Sequence, residues 1–140
     1  MALMIPEALA WAEQHRHAVV ITIKADGSPQ SSDVVYRVVD GELEVSVTAD
    51  RAKTANIRRD PRIVVHVSRP DTWSYVSFSG SATLSDVATE PTDPVVDGLV
   101  AYYQAVAGKP HDDWDEYRAA MVAQRRLLLR LAPQRAVGHI

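Results

Sequence analysis

The chain has 140 residues, 46% of them hydrophobic and 24% charged, which is the balance of an ordinary globular protein; the length suits a single domain, 1–140, around one core. Its 18 acidic and 15 basic residues leave a formal charge of −3, which argues against broad electrostatic binding to nucleic acid or anionic lipid. There is no cysteine, so disulfides, thiolate metal sites and cysteine nucleophiles are excluded, and any redox chemistry must come from a bound cofactor.

No apolar run approaches the roughly 18 residues that cross a bilayer. Segment 1–5 is too short for the hydrophobic region of a secretion signal and has no basic flank before it. A cytoplasmic address is the expectation.

Pro6 to His15 reads as a short amphipathic helix, with Pro in its first turn and Ala8, Leu9 and Ala12 on one side. The β-branched run Ala18 to Lys24 is a strand that ends at Asp26-Gly27, a hairpin signal because both positions tolerate positive φ. A second strand, Gln30 to Val39, runs to another such turn at Asp40-Gly41. Glu42 to Thr48 then alternates Leu43, Val45 and Val47 against Glu42, Glu44 and Ser46, so the three strands are expected to form an antiparallel meander. Ala52 to Asp60 gains helix formers and stops before Pro61.

Ile63 to Ser68 and Trp73 to Leu84 read as two more strands around a turn at Arg69-Pro70-Asp71, with a bulge or bend expected at Gly80. Ser85 to Asp93 is a polar linker. It leads into a helix from Pro94 to Ala107, closed by Gly108. A second helix, Trp114 to Gln124, is capped by Asp112 or Asp113. Leu127 to Leu131 and Ala136 to His139 close the chain as strands. About six strands with antiparallel turns and interrupting helices favour a mainly β, α+β split barrel over a βαβ sheet.

The segment Arg51 to Arg62, RAKTANIRRDPR, carries the strongest chemical signal. Arg51, Lys53 and the Thr54 hydroxyl gather at a helix start, where free backbone N–H groups already favour an anion such as phosphate. The same residues also fit solvated charges on a surface helix, and spacing does not separate the two readings. Trp73 and Tyr75, two apart on a strand, suit core or interface packing as well as stacking on a flat ring. His66 reads as a hydrogen-bonded strand histidine. His15 and His17 lack a third ligand nearby, and the acidic run 111–116 lacks the pattern of a calcium loop, so no metal is expected. No Ser-His-Asp set, paired catalytic carboxylates or glycine-rich phosphate loop can be drawn, which disfavours hydrolysis.

Taken in order, DGSPQSS at Asp26 to Ser32, DGEL at Asp40 to Leu43, RAKTANIRRDPR, and WSYVSFSGSATL from Trp73 resemble the pyridoxamine 5′-phosphate oxidase-like split barrels. The resemblance is greatest to their deazaflavin-dependent actinobacterial branch, and it covers Ala18 to Leu84 most strongly. It implies an FMN-binding-like split β-barrel that forms a homodimer with two cofactor sites at the interface. It further implies that Arg51 and Lys53, assisted by Thr54, hold the cofactor phosphate, that Gln30 and Ser32 lie along the ring system, and that Trp73 and Tyr75 approach from the partner chain. The expected cofactor is coenzyme F420, with FMN as the alternative. The expected activity is hydride transfer to or from a small organic molecule; a cofactor carrier without turnover is the non-enzymatic rival. The tail lacks the substrate-phosphate motif of true pyridoxamine-phosphate oxidases. Arg130-Leu131-Ala132-Pro133 only echoes its letters within an apolar strand, so vitamin B6 oxidation is not expected.

Overall fold

The computed structural model describes all residues, Met1–Ile140. In chain order the elements are α1 (Ile5–Ala12), β1 (His17–Ile23), β2 (Pro29–Val35), β3 (Arg37–Val39), β4 (Glu42–Thr48), α2 (Ala52–Arg59), β5 (Arg62–Arg69), β6 (Ser74–Leu84), α3 (Pro94–Ala107), α4 (Trp114–Ala123), β7 (Arg126–Leu131) and β8 (Arg135–His139). Every strand pairing is antiparallel. The sheet runs β2-β1-β5-β6-β7-β4-β3, with β8 on β6. The two ends of this path, β2 and β3, are consecutive in the chain, so the sheet curls on itself into a split barrel. No helix is long and apolar enough to cross a membrane.

The expected strand Gln30 to Val39 breaks at Tyr36, and the expected meander breaks with it. Tyr36 is fully buried, its backbone N–H donates to the Arg16 carbonyl, and its hydroxyl donates to the Ala12 carbonyl at 2.6 Å. Drawing that ring into the interior turns the chain, so β2 pairs only with β1 and β3 only with β4. Both Asp-Gly turns form as read: Asp40 and Gly41 adopt φ of 52° and 77°, and Gly27 adopts 86°.

Gly80 is not a bulge, because β5 and β6 pair one-to-one from Arg62↔Ser81 to Arg69↔Ser74. It lies where β6 leaves β8 for β7. A methyl there would stand 3.1 Å from Leu131 Cδ1 and 3.3 Å from the Ala132 carbonyl, so glycine lets the strands approach closely at this crossing.

Inward-facing Val20, Val65, Val67, Val76 and Phe78 fill the barrel together with Leu127, Leu129 and Leu131 of β7. A second, smaller cluster of Leu99, Tyr102, Tyr117, Met121 and Leu128 fastens the α3–α4 hairpin to the outside of β7. Gly108 ends α3 at φ 72°, and the Asp113 carboxylate caps α4 by accepting from Glu116 N–H at 3.1 Å.

Glu44, on the polar side of the β4 alternation, is buried as well. Glu44 is 1% exposed and accepts from Arg37 Nε at 2.7 Å and Arg130 Nε at 2.8 Å. The alternation along β4 was read correctly, but both faces of this strand are covered. Arg130 thus has a structural partner, consistent with its motif-like letters being coincidental.

Candidate cofactor site

β4 ends at Thr48 and α2 begins at Ala52, with three residues between them. Thr54 fixes this junction: it is wholly buried and its hydroxyl donates to the Thr48 carbonyl at 2.8 Å. Thr54 therefore shapes the loop, and its side chain is not exposed at the surface beside the helix start. Arg51 sits at the N-cap in an extended conformation, and no side chain caps the helix. The first-turn N–H groups keep their positive field.

Beside this helix start lies a cleft of about 560 Å³ along the seam between β2 and β4. Ser32 and Val34 of β2 form one wall, and Ser46, Val47 and Thr48 of β4 the other. Tyr102, Tyr117 and Met121 close it from the α3–α4 hairpin, while Arg51, Lys53 and Arg126 gather at the α2 end. A larger recess of about 780 Å³ by the 85–93 linker carries Asp86 and Asp93 and brings in none of the expected site residues. The smaller cleft is the candidate site on chemistry, because cations meet a mixed apolar and hydroxyl lining there.

None of Arg51, Lys53 and Arg126 takes part in the chain's five ion pairs. The Lys53 pKa is held below the ordinary lysine value, chiefly by burial and then by the charges of Arg51 and Arg126. An anion placed among the three would reverse that cost. The Thr48 hydroxyl is buried and unbonded; it lowers the pKa of the nearby Asp50 carboxylate without reaching bonding geometry. The tyrosines are engaged: Tyr102 donates to the Val35 carbonyl at 2.6 Å and Tyr117 to the Leu99 carbonyl at 2.9 Å. Burial raises both phenol pKa values, Tyr117 to about 12, so they are neutral walls and poor proton donors.

Of the residues singled out by sequence, Ser32, Arg51 and Lys53 meet on this cleft. Gln30 lies just behind it, its side-chain carbonyl accepting from Asn56 Nδ2 at 2.8 Å within a buried network that includes Thr22. Trp73 and Tyr75 do not line it, and they do not share a strand face. Trp73 occupies the β5–β6 turn with φ 57° and is 84% exposed, while β6 starts at Ser74. Tyr75 lies 38% exposed beside His66, whose Nδ1 is 2.8 Å from Ser77 Oγ, the hydrogen-bonded strand histidine expected. Sequence reading missed Thr48, Tyr102 and Arg126. For Arg126 the only signal is the pairing of β7 with β4, which sets it opposite Thr48.

Comparison with known proteins places the chain in a family. The family model for pyridoxamine 5′-phosphate oxidase matches residues 4–139. The chain belongs to the pyridoxamine 5′-phosphate oxidase family. Among solved members of this fold, the conserved hypothetical protein Rv2991 from Mycobacterium tuberculosis is similar at 24% identity, with a TM-score of 0.78 over 98% of this chain and 84% of that one. An F420 reductase is similar at 20% identity, with a TM-score of 0.64 over 91% and 94%. A heme binding protein from Mycobacterium smegmatis is similar at 20% identity, with a TM-score of 0.69 over 96% of this chain and 52% of that one. At such identities the likeness concerns the fold, and the local chemistry must carry the rest.

Proposed function

We propose that this family member is a cytoplasmic oxidoreductase that holds coenzyme F420 in the β2–β4 cleft and serves hydride transfer to or from a small unsaturated or oxidised organic molecule. The observation that carries the reading is the convergence of three cations, none of them in an ion pair, at one end of a cleft whose lining mixes apolar and hydroxyl side chains and holds a single acid, Asp33. The F420 reductase among its structural relatives supports this cofactor over FMN. A haem reading, raised by the mycobacterial relative, finds no histidine on the lining.

In this reading Arg51 would hold the cofactor phosphate through its guanidinium, and Lys53 would add a point charge whose desolvation the phosphate would offset. Val34, Val47 and Met121 keep water from the ring. Ser32 and the unbonded Thr48 hydroxyl offer polar contacts at its edge. Bound and reduced, the deazaflavin supplies a hydride, two electrons and one proton together, to an electrophilic carbon of the substrate. Because Tyr102 and Tyr117 hold their protons on backbone carbonyls, the balancing proton comes from solvent.

The same proposal includes a homodimer. The outward faces of β1, β5 and β6 present Val19, Ile21, Val64 and Tyr75, and the exposed Trp73 projects from the β5–β6 turn; this surface is the contact we propose between the two copies. The test is titration of F420 and FMN into wild type, Arg51→Ala and Lys53→Ala, alongside thermal melts and light scattering. Each variant should lose roughly tenfold to a hundredfold in affinity, as expected for losing a charge-assisted hydrogen bond of about 1.5–3 kcal/mol. Melting temperatures should hold, and wild type should scatter as a dimer. Unchanged affinity in both variants would move the phosphate elsewhere.

A further inference from the structure

Arg126 is counted among the three cations of the cleft but is given no task of its own above, yet two side-chain acceptors anchor it. It opens β7 directly opposite Thr48 on β4, and so reaches the anionic end from a different element than Arg51 and Lys53. Its Nε donates to Gln124 Oε1 at 3.0 Å and its Nη1 to Ser46 Oγ at 3.4 Å. Two neutral acceptors therefore orient the guanidinium and leave donors of its five-donor fork unused.

The contrast with other arginines is direct. Arg37, Arg118 and Arg130 have side chains 18%, 28% and 39% exposed, and each is paired with a carboxylate. Arg126 is half-buried and has none. Placing three like charges together without a counter-ion is unfavourable, and the depressed Lys53 pKa registers part of that repulsion. The cleft lining holds a single acid, Asp33 on β2. Against three cations, a ligand end with a single negative charge leaves the balance positive, whereas an end with two or more negative charges matches it.

We infer that Arg126 is a specificity-determining residue, which selects ligands whose anionic end carries at least two negative charges by holding the charge that Arg51 and Lys53 do not. The inference rests on the cofactor reading above. Two chemistries satisfy it, a phosphodiester followed by a carboxylate and a phosphate monoester dianion, and the arms of the test separate them.

The experiment measures dissociation constants for F420, FMN, riboflavin and the phosphate-free deazaflavin chromophore. Wild type, Arg126→Gln, Arg126→Lys and Arg51→Ala are titrated at low and high salt. Arg126→Gln should weaken whichever charged ligand wild type prefers by about tenfold and flatten its salt dependence. It should leave the two uncharged ligands unchanged, and Arg126→Lys should recover part of the loss. In the free protein, Arg126→Gln should also raise the Lys53 pKa toward its ordinary value, read by NMR of the Lys53 side chain. Equal loss for charged and uncharged ligands would assign Arg126 a structural role and overturn the inference. Wild-type affinity in Arg126→Gln, with Arg51→Ala impaired, would overturn it while leaving the cofactor reading intact. Failure of wild type to bind either charged ligand would overturn both.

Discussion

Replacing Glu44 by Gln tests whether the carboxylate beneath α3 holds β3, β4 and β7 together. Glu44 is 1% exposed and its two oxygens each accept one guanidinium N–H, at 2.7 and 2.8 Å. The amide keeps the shape but presents an acceptor to one arginine and a donor to the other, so one contact becomes donor against donor. Breaking a buried ion pair costs about 3–5 kcal/mol. The Arg37 and Arg130 side chains remain 18% and 39% exposed and can recover hydration, which lowers the figure to about 2–3 kcal/mol. At about 4 °C per kcal/mol for a chain of this size, the melting temperature should fall by about 8–12 °C. Replacing all three residues together, Arg37→Met, Glu44→Leu and Arg130→Met, should recover most of the loss, because no buried charge is then left unpaired. Calorimetry of wild type, the single variant and the triple variant is the assay. A shift under about 2 °C for Glu44→Gln, or a triple variant less stable than the single one, would refute the reasoning.

Two further perturbations read other parts of the fold. A methyl group added at Gly138 would collide with the Tyr75 carbonyl oxygen and lie 2.9 Å from Val76 Cα; backbone cannot yield as a side chain does, so Gly138→Ala should cost about 3 kcal/mol or more. Amide exchange should then show β8 released from β6, and β8 amides as protected as in wild type would contradict this. His15 lies against the Trp11 ring and 3.1 Å from Arg69 Nη1, and its pKa is held below the ordinary value, first by burial and then by Arg69. As pH falls below about 6.5 the unfolded chain takes up a proton that the folded chain refuses, so stability should drop through that window and His15→Gln should flatten the slope. Parallel melts of both proteins from pH 8 to about 5.5 would show no difference in slope if His15 were freely solvated.

The elements were legible because most carry local signals. The Asp-Gly turns, the Pro94 start and Gly108 end of α3, and the Asp113 cap each depend on a few adjacent residues. What failed was non-local. Tyr36 breaks a strand only because the α1–β1 junction supplies partners for its hydroxyl and N–H. Glu44 is polar by pattern and buried by a hairpin that begins fifty residues later. Trp73 looked like a strand residue because aromatics favour strands, yet the turn hydrogen bonds from Thr72 and Trp73 back to Arg69 and Pro70 hold it outside. For the site, Arg51 and Lys53 were visible as neighbours on one helix start, whereas Arg126 joins them only through the β4–β7 ladder.

The position of the cleft follows from the way the barrel is split. One residue, Tyr36, separates β2 from β3, and β2 shares no ladder with β4, so a seam opens between strands that a continuous β2–β3 would have closed. Unpaired edge groups at such a seam must find partners, and the Tyr102 hydroxyl supplies one for the Val35 carbonyl. The α3–α4 hairpin that carries Tyr102 thereby covers the seam without filling it. α2 starts at the end of β4, and β7 lies beside β4 along its length, so the seam's one open end is where Arg51, Lys53 and Arg126 converge. The strands around that end contribute one acid, Asp33 on β2, against three cations, and their other lining residues are neutral. The break that opens the cleft thus leaves most of that charge for a ligand to balance.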